Sequence, residues 1–257
     1  MIKSSIATIF SFSPALLMEN SRIRIKVLPP LIITILILQG LLVAAVARQQ
    51  RENILNAQRN TEQRVTDLLT EEIRTKIQIM DVALEAVARA PRFIEGMVNK
   101  DQDKLREHGI PFFEELKKDQ DITHFYFHQP DRIVFLRLHS DIQGDLNERE
   151  TILRAEAMGQ QVVGIEQGVV GYTTLRMVKP WKSLGADNLL GYLELGVEVE
   201  DILTGVGNIL GVEMVLAIDK DQLDRERWEA QMESRGKPTD WEQLPNLVVT
   251  NTPMGER

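Results

Sequence analysis

From Val27 to Ala47 the chain runs VLPPLIITILILQGLLVAAVA, with Gln39 as its one strongly polar residue. A helix of about 21 residues crosses the roughly 30 Å hydrocarbon core of a bilayer, and a soluble helix of that length would carry a polar face. The segment therefore reads as a transmembrane helix with the lipid bilayer as partner of residues 27–47. Pro29 and Pro30 are expected in its first turn, where a missing backbone N–H costs least, and so to mark its start. Arg22, Arg24 and Lys26 precede it and favour a cytoplasmic N-terminus, although Arg48, Arg51 and Arg59 follow closely and oppose that bias. The expected location is the inner (cytoplasmic) membrane, single-pass, with the bulk of the chain periplasmic or extracellular. A cleaved signal peptide is the rival, since Ala45-Val46-Ala47 has the small-x-small pattern, but the apolar run exceeds the usual core of about 7–15 residues. Residues 1–17 read as poorly structured, and Met18 opens a more ordinary anchor sequence.

Beyond the anchor the composition excludes several classes. A net charge of -8 with no Lys/Arg-rich run argues against nucleic acid as a partner. The 43% apolar content suits a packed core, and the absence of cysteine excludes disulfides, thiolate zinc sites, thiol nucleophiles and covalently attached haem.

Between Gln49 and Arg89 there is no Gly or Pro, and Ile54, Val65, Leu68, Leu69, Ile73, Ile77, Met80, Leu84 and Val87 recur at helical spacing. The pattern predicts a long amphipathic helix leaving the membrane and ended by Pro91. Its stripe can pack on the following domain or on a second copy, which makes a homodimer through this helix one expectation. Shorter helices are expected at Phe93 to Val98 and from Asp101 to Lys118, with Pro111 breaking or kinking the latter. ITHFYFH (Ile122 to His128) and RIVFLRL (Arg132 to Leu138) read as strands around a Gln129-Pro130-Asp131 turn. A helix is expected from Asn147 to Met158. Strands are expected at Val162 to Glu166, Gly171 to Val178 and Leu189 to Val197, with Trp181 to Asn188 as a loop. A helix at Glu200 to Ile209, a strand at Val212 to Ile218 and a helix at Lys220 to Glu233 complete the pattern. Consecutive strands with short turns, and no glycine-rich phosphate loop, predict an α+β fold with an antiparallel sheet flanked by helices.

The stretch FLRLHSDIQGDLNERETI, Phe135 to Ile152, holds the candidate binding residues. Alternation places Phe135, Arg137 and His139 on one strand face and Leu136 and Leu138 on the other. Asp145 and Arg149 follow, Arg149 about the first turn of the next helix, and Glu166, Arg176 and Glu194 interrupt later apolar strands. Taken singly, Arg137, Asp145, Arg149 and Arg176 read more readily as solvent-facing or structurally paired charges. Gathered on one concave face, the planar guanidinium forks would suit an organic anion. Glu166 and Asp145 could hold an ammonium group or fix the arginines. The small-molecule ligand site is thus expected at Arg137, His139, Asp145, Arg149, Glu166 and Arg176, with no metal and no cofactor. An enzyme is not expected, since no Gly-x-Ser-x-Gly elbow or His-Glu-x-x-His helix occurs. His124 and His128 are four apart, but in a strand that places them on one face roughly 13 Å apart. His108 reads as a surface residue.

Phe127 to Arg176 resembles the double Cache sensory domains of bacterial chemoreceptors, sensor kinases and diguanylate cyclases, particularly the type 3 group. The residues that carry the likeness are FHQPDRIVFLRLH (Phe127 to His139), Gly144-Asp145-Leu146 with Arg149, and GIEQGVVGYTTLRMVKP (Gly164 to Pro180). The resemblance covers roughly Gln49 to Val249 and implies a PAS-like extracytoplasmic module behind a long helix, sensing small molecules for signal transduction. The family pattern has an Arg close after Gly-Ile-Glu, where this chain has Val169 or Val170, so one implied pocket cation is missing. The family plan also continues into a membrane-proximal lobe, a second span and an output module, whereas the sequence stops at Asn251 to Arg257. The implied organisation is residues 1–26 cytoplasmic, 27–47 transmembrane, 48–90 exit helix and 91–257 Cache-like sensory domain without that lobe and span, the plan of a truncated receptor. The alternative is an anchored coiled-coil interaction or scaffold protein without a small ligand.

Overall fold

The structure, a computed structural model, describes residues 14–250 apart from 169–170 and 184–187, with side-chain surroundings from residue 28 onward. Helix α1 spans Pro14–Arg89 and carries Pro29 and Pro30 in its interior, so the expected start at those prolines is corrected. Each proline removes one backbone donor without forcing a break, as apolar membrane-type helices tolerate. Pro14 to Leu17, expected to lack structure, are the helix's first residues. Residues 1–13 lie outside the described residues.

The chain divides into two compact units, one up to Gln63 and one from Arg64. In the first, every residue from Leu28 to Gln63 is exposed, Leu28, Ile33, Leu38 and Val43 among them. α1 contains a stretch long and apolar enough to cross a membrane.

In the second unit, the last turns of α1 bury Met80, Leu84 and Val87 in the core, with Leu69, Ile73 and Ile77 packed against it. Their three-and-four spacing is a single helix stripe. Pro91 pushes Ala90 to an extended conformation, ending α1 and starting α2, Pro91–Val98. Helix α3, Gln102–Gln120, is capped by Asp101, whose side chain accepts from Lys104 N at 2.9 Å. Pro111 lies inside α3 without ending it. It faces solvent, as does Glu107 one turn back, so the carbonyl deprived of its donor is open to water.

Five strands, β1 Ile122–His128, β2 Val134–Arg137, β3 Val162–Gln167, β4 Thr173–Lys182 and β5 Leu189–Glu198, form an antiparallel sheet in the order β2-β1-β5-β4-β3. Phe125, Phe127, Met177, Leu193, Leu195 and Val197 point from one face into the core with α1, α2 and α3. Trp181 Nε1 donates to Ala88 O at 2.9 Å, and Lys179 pairs with Glu85, fastening β4 to α1. Lys76 fastens α1 to the start of β1 through Gln120 O and Asp121, at 2.7 and 2.9 Å.

The opposite face is crossed by the β2–α4 connection and by α4, Glu150–Met158, whose Ile152 and Ala155 pack on Val162, Val178 and Tyr192. Beyond β5 come α5 Val199–Leu210, β6 Ala217–Asp219, a 3-10 turn at Lys220–Gln222, α6 Arg225–Ser234 and β7 Leu247–Val249. β6 and β7 pair as a second small sheet around Ile218, Trp228, Met232 and Val248. The expected strand from Val212 is thus only its last part, and the expected helix from Lys220 begins as a 3-10 turn.

Candidate functional site

On β1, residues alternate between the core and the second face of the sheet, so His124, Tyr126 and His128 stand in a row facing away from the helices. The rings stack, Tyr126 on His124 at 6.1 Å and on His128 at 5.4 Å between centroids. Register brings three charged side chains beside this row. Tyr126 lies opposite Arg137 of β2 and Glu194 of β5, and Gly196 of β5 lies opposite both His124 and Arg176 of β4.

Glu194 is the centre. It is fully buried and accepts from Arg176 Nη1 at 2.5 Å, while its other oxygen sits 2.9 Å from His128 Nε2 and 3.2 Å from Asn147 Nδ2. Arg149, at the N-cap of α4, brings Nη1 to 3.8 Å from the same carboxylate. Burial alone would push the Glu194 carboxyl up, but Arg176, the His128 hydrogen bond and Arg149 together hold it well below the ordinary carboxylate range.

Arg137 is held differently. Its guanidinium grips Asp145 with two bonds of 2.7 Å and donates to Ile142 O, tying down the exposed β2–α4 connection. Burial disfavours its charge, but Asp145 more than restores it, and the bond from Arg137 in turn holds the Asp145 carboxyl low. His139 folds back so that Nδ1 accepts from Phe125 N at 3.2 Å, with its ring edge-on to both His124 and Tyr126 at 4.7 Å. Burial, followed by Arg137, lowers His139 to about 4. Burial, followed by Arg176 and His139, lowers His124 to about 2. Both rings are neutral at neutral pH.

The result is one aromatic ring ringed by cations. The guanidinium carbons of Arg137, Arg149 and Arg176 lie 5.2, 5.7 and 5.8 Å from the Tyr126 ring centroid. Two glycines flank Arg176 in the sheet. A Cβ on Gly196 would meet Thr174 Cγ2 at 2.9 Å, and one on Gly164 would meet Thr151 Cγ2 at 2.9 Å. Glu166 of β3 bridges Arg176 and the start of α4. Its Oε1 accepts from Thr151 N at 2.7 Å, and its Oε2 lies 3.5 Å from Arg176 Nε.

The structure therefore gathers Arg137, His139, Asp145, Arg149, Glu166 and Arg176 on one side of one sheet. Asp145 reaches the cluster through Arg137. Expected alternation fails at Phe135, which joins the core with Leu136. Pairing of β2 with β1 steps from Leu136↔Phe127 to Val134↔His128, so Phe135 is the extra residue of a bulge and turns with its neighbour. Val169 and Val170, where the family-type arginine is missing, lie outside the described residues. Sequence reasoning missed Tyr126, His128 and Asn147, and noted Glu194 without assigning it to the site. The available signals were the His-x-Tyr-x-His spacing at 124, 126 and 128, and a lone carboxylate inside Leu193–Val197.

A separate cleft of about 330 Å³ opens at the end of α2, lined by Met97, Val98, Phe135, Leu189 and Leu190 with Gln129 and Lys100. None of the charged cluster borders it.

Residues 54–247 match the model of the double Cache type 3 family, described as the double sensory domain of two-component sensor kinase. Among curated proteins nothing matches the chain. Among solved structures, the chain is similar to the Escherichia coli DcuS sensor domain, at 22% identity and TM-score 0.41, over 52% of this chain and 98% of that one. It is similar to the periplasmic domain of Vibrio cholerae LuxQ at 12% identity and TM-score 0.42, over 60% and 73%. The ligand-binding domain of the Campylobacter jejuni chemoreceptor Tlp3 in complex with L-valine is similar at 13% identity and TM-score 0.37, over 63% and 68%. With the family model matched over most of its length, the chain belongs to the double Cache type 3 family of sensory domains.

Proposed function

We propose that this chain is a membrane-anchored extracytoplasmic sensor whose charged sheet face binds a small molecule carrying a carboxylate. Residues 1–26 lie in the cytoplasm, 27–47 cross the membrane, 48–90 form the exit helix and 91–257 form the sensory domain. The bilayer is the partner of the exposed apolar residues between Leu28 and Val46, and a second copy of the chain is the partner of the helix that follows.

The observation that supports the ligand reading best is the trio of guanidinium groups around Tyr126, of which Arg149 alone makes no side-chain hydrogen bond among the described residues. Arg137 and Arg176 are already fixed by Asp145 and Glu194, so they shape the site without rearranging. The Arg149 side chain is 36% exposed and meets Glu194 only at 3.8 Å, which leaves its fork donors able to take a carboxylate bidentately. His139 and Tyr126 supply aromatic walls.

The test is a thermal-shift screen of the full chain in detergent against organic acids, amino acids and amines. Carboxylates are expected to raise the melting temperature, and Arg149→Ala to abolish that rise. Because Arg149 touches the rest of the site only through a long ion pair to Glu194 and the face of the Tyr126 ring, its removal should change the unliganded stability by no more than about 1 kcal/mol. A rise that persists in Arg149→Ala, or one produced by amines alone, would overturn the reading.

A further inference from the structure

The pairing at the start of α4 is incomplete, with three buried polar atoms left without a hydrogen bond. α4 has nine residues, and its N-cap, Arg149, offers no side chain to the free amides of the first turn. The cap comes instead from across the sheet, from Glu166, whose Oε1 takes Thr151 N–H at 2.7 Å. Its second oxygen is stranded. Glu166 Oε2 and Arg176 Nε stand 3.5 Å apart, and neither has a hydrogen-bond partner although both are buried. Arg176 is 5% exposed and Thr151 3%, and the Thr151 hydroxyl is likewise buried and unpartnered. Native interiors leave few such groups unpaired.

A helix N-terminus beside a guanidinium N–H is a carboxylate position by its chemistry, with two donors aimed at two oxygens. Glu166 fills it badly, because its carboxylate is tethered to β3 and satisfies the helix amide at the expense of Arg176 Nε. A free carboxylate has no such tether. The lack of a side chain at Gly164 lets the first turn of α4 sit against β3, which keeps Thr151 N and Arg176 Nε close enough to share one ligand group.

We propose that Glu166 is a built-in occupant of a carboxylate position formed by Thr151 N–H and Arg176 Nε–H, and that a ligand carboxylate binds there by displacing it. This rests on the carboxylate reading of the site given above. Glu166 then determines specificity. A ligand group must outcompete an attached carboxylate, so neutral amides and weakly accepting groups are rejected, and the displaced Glu166 frees the start of α4 from β3.

Acetate is the probe, titrated by calorimetry into the full chain in detergent, with acetamide as its neutral counterpart. Glu166→Gln keeps an acceptor for Thr151 N but removes the competing charge, and is expected to tighten acetate binding about tenfold, with acetamide unaffected. Glu166→Ala should do the same. In a chain labelled with ¹⁵N-threonine, acetate should move the wild-type Thr151 amide to the position it holds in acetate-bound Glu166→Ala, whereas a purely structural Glu166 would leave the two bound positions apart. If the wild type binds acetate through Arg149 but Glu166→Gln binds no more tightly and the two bound Thr151 positions stay apart, Glu166 is structural and this inference falls while the site stands. If acetate binds none of these chains, the carboxylate reading of the site falls and this inference with it.

Discussion

The two faces of the five-stranded sheet are built from the same strands and obey different physics. On β5, Glu194 and Leu195 are neighbours in sequence and both are fully buried. Leu195 is held by area removed from water and by close packing against the helices. Glu194 lost a favourable hydration shell on burial and is held only because Arg176, His128 and Asn147 replace it. One face tolerates any apolar side chain of similar volume, whereas the other tolerates only a matched set.

That difference predicts how each face breaks. Leu195→Ala should cost about 2–5 kcal/mol through a cavity. Glu194→Ala should cost about 3–5 kcal/mol, because it leaves buried Arg176 with only the 3.5 Å approach of Glu166 and takes the shared acceptor from His128 and Asn147. The two separate on repair. Replacing both Glu194 and Arg176 with apolar residues of like volume should recover most of the loss, as buried ion pairs exchanged whole often do, and ligand-induced stabilisation should be absent. Urea denaturation of the single and double variants, with and without carboxylate, checks this. A double variant as unstable as Glu194→Ala would mean that the charged face contributes net stability of its own.

The comparison sharpens with pH, since both strongly shifted histidines lie on the charged face. His139 and His124 are lowered from 6.5 to about 4 and about 2, chiefly by burial. At these rings the folded state therefore binds fewer protons than the unfolded one below about pH 6.5, and their contribution to stability falls as pH drops from there toward 4. The carboxylates of the charged face work in a lower window. Glu194 and Asp145 are depressed below ordinary values of 4.5 and 3.8, so their contribution is intact above those values and is lost only as pH falls through the folded pKa. Between pH 6.5 and 4.5 the histidines lower stability as pH falls, while Asp201, raised to about 6 chiefly by burial, pulls the other way. His139→Gln should lessen the fall in unfolding curves at pH 7, 6 and 5, and an unchanged slope would remove His139 as its source.

Alternation made much of this legible in the sequence. β1 was readable as Ile122–His128 from its aromatic and β-branched content, and β3 to β5 to within a few residues. Arg137 and Arg176 stood out because a charge inside an apolar strand must face something other than the core. What could not be read was which partner each charge takes. Glu194 and Arg176 are separated in the chain by the β4–β5 turn, and only antiparallel register puts them side by side. The bulge at Phe135 also leaves no local mark, because it arises from the pairing of β2 with β1. Pro29 and Pro30 misled as a helix start, and Pro111, expected to break or kink α3, does not break it. Pro29 and Pro30 sit inside α1, and Pro111 inside α3, because a missing donor bends or breaks a helix only where the surroundings cannot absorb it.

The smallest expected effect falls on the rim of the charged face. Arg137 is 8% exposed, but its partner Asp145 keeps a side-chain exposure of 49%, so water shares the carboxylate. Arg137→Lys keeps the charge and loses the fork. A lysine ammonium can face one Asp145 oxygen but cannot hold both while also donating to Ile142 O. The cost to global stability should be about 1 kcal/mol, well below that of Glu194→Ala. The local effect should be larger than the global one. Gly144 N donates to Val134 O and Asn147 N to Arg132 O, and these bonds hold the connection against β2 only while Arg137 pins it. Their amide protons should exchange faster in Arg137→Lys, while those of Phe127 and Leu195 in the sheet centre keep their protection. Equal acceleration at both places would mean that the charged face and the core open as one unit, and the contrast between the two faces would then be one of chemistry alone.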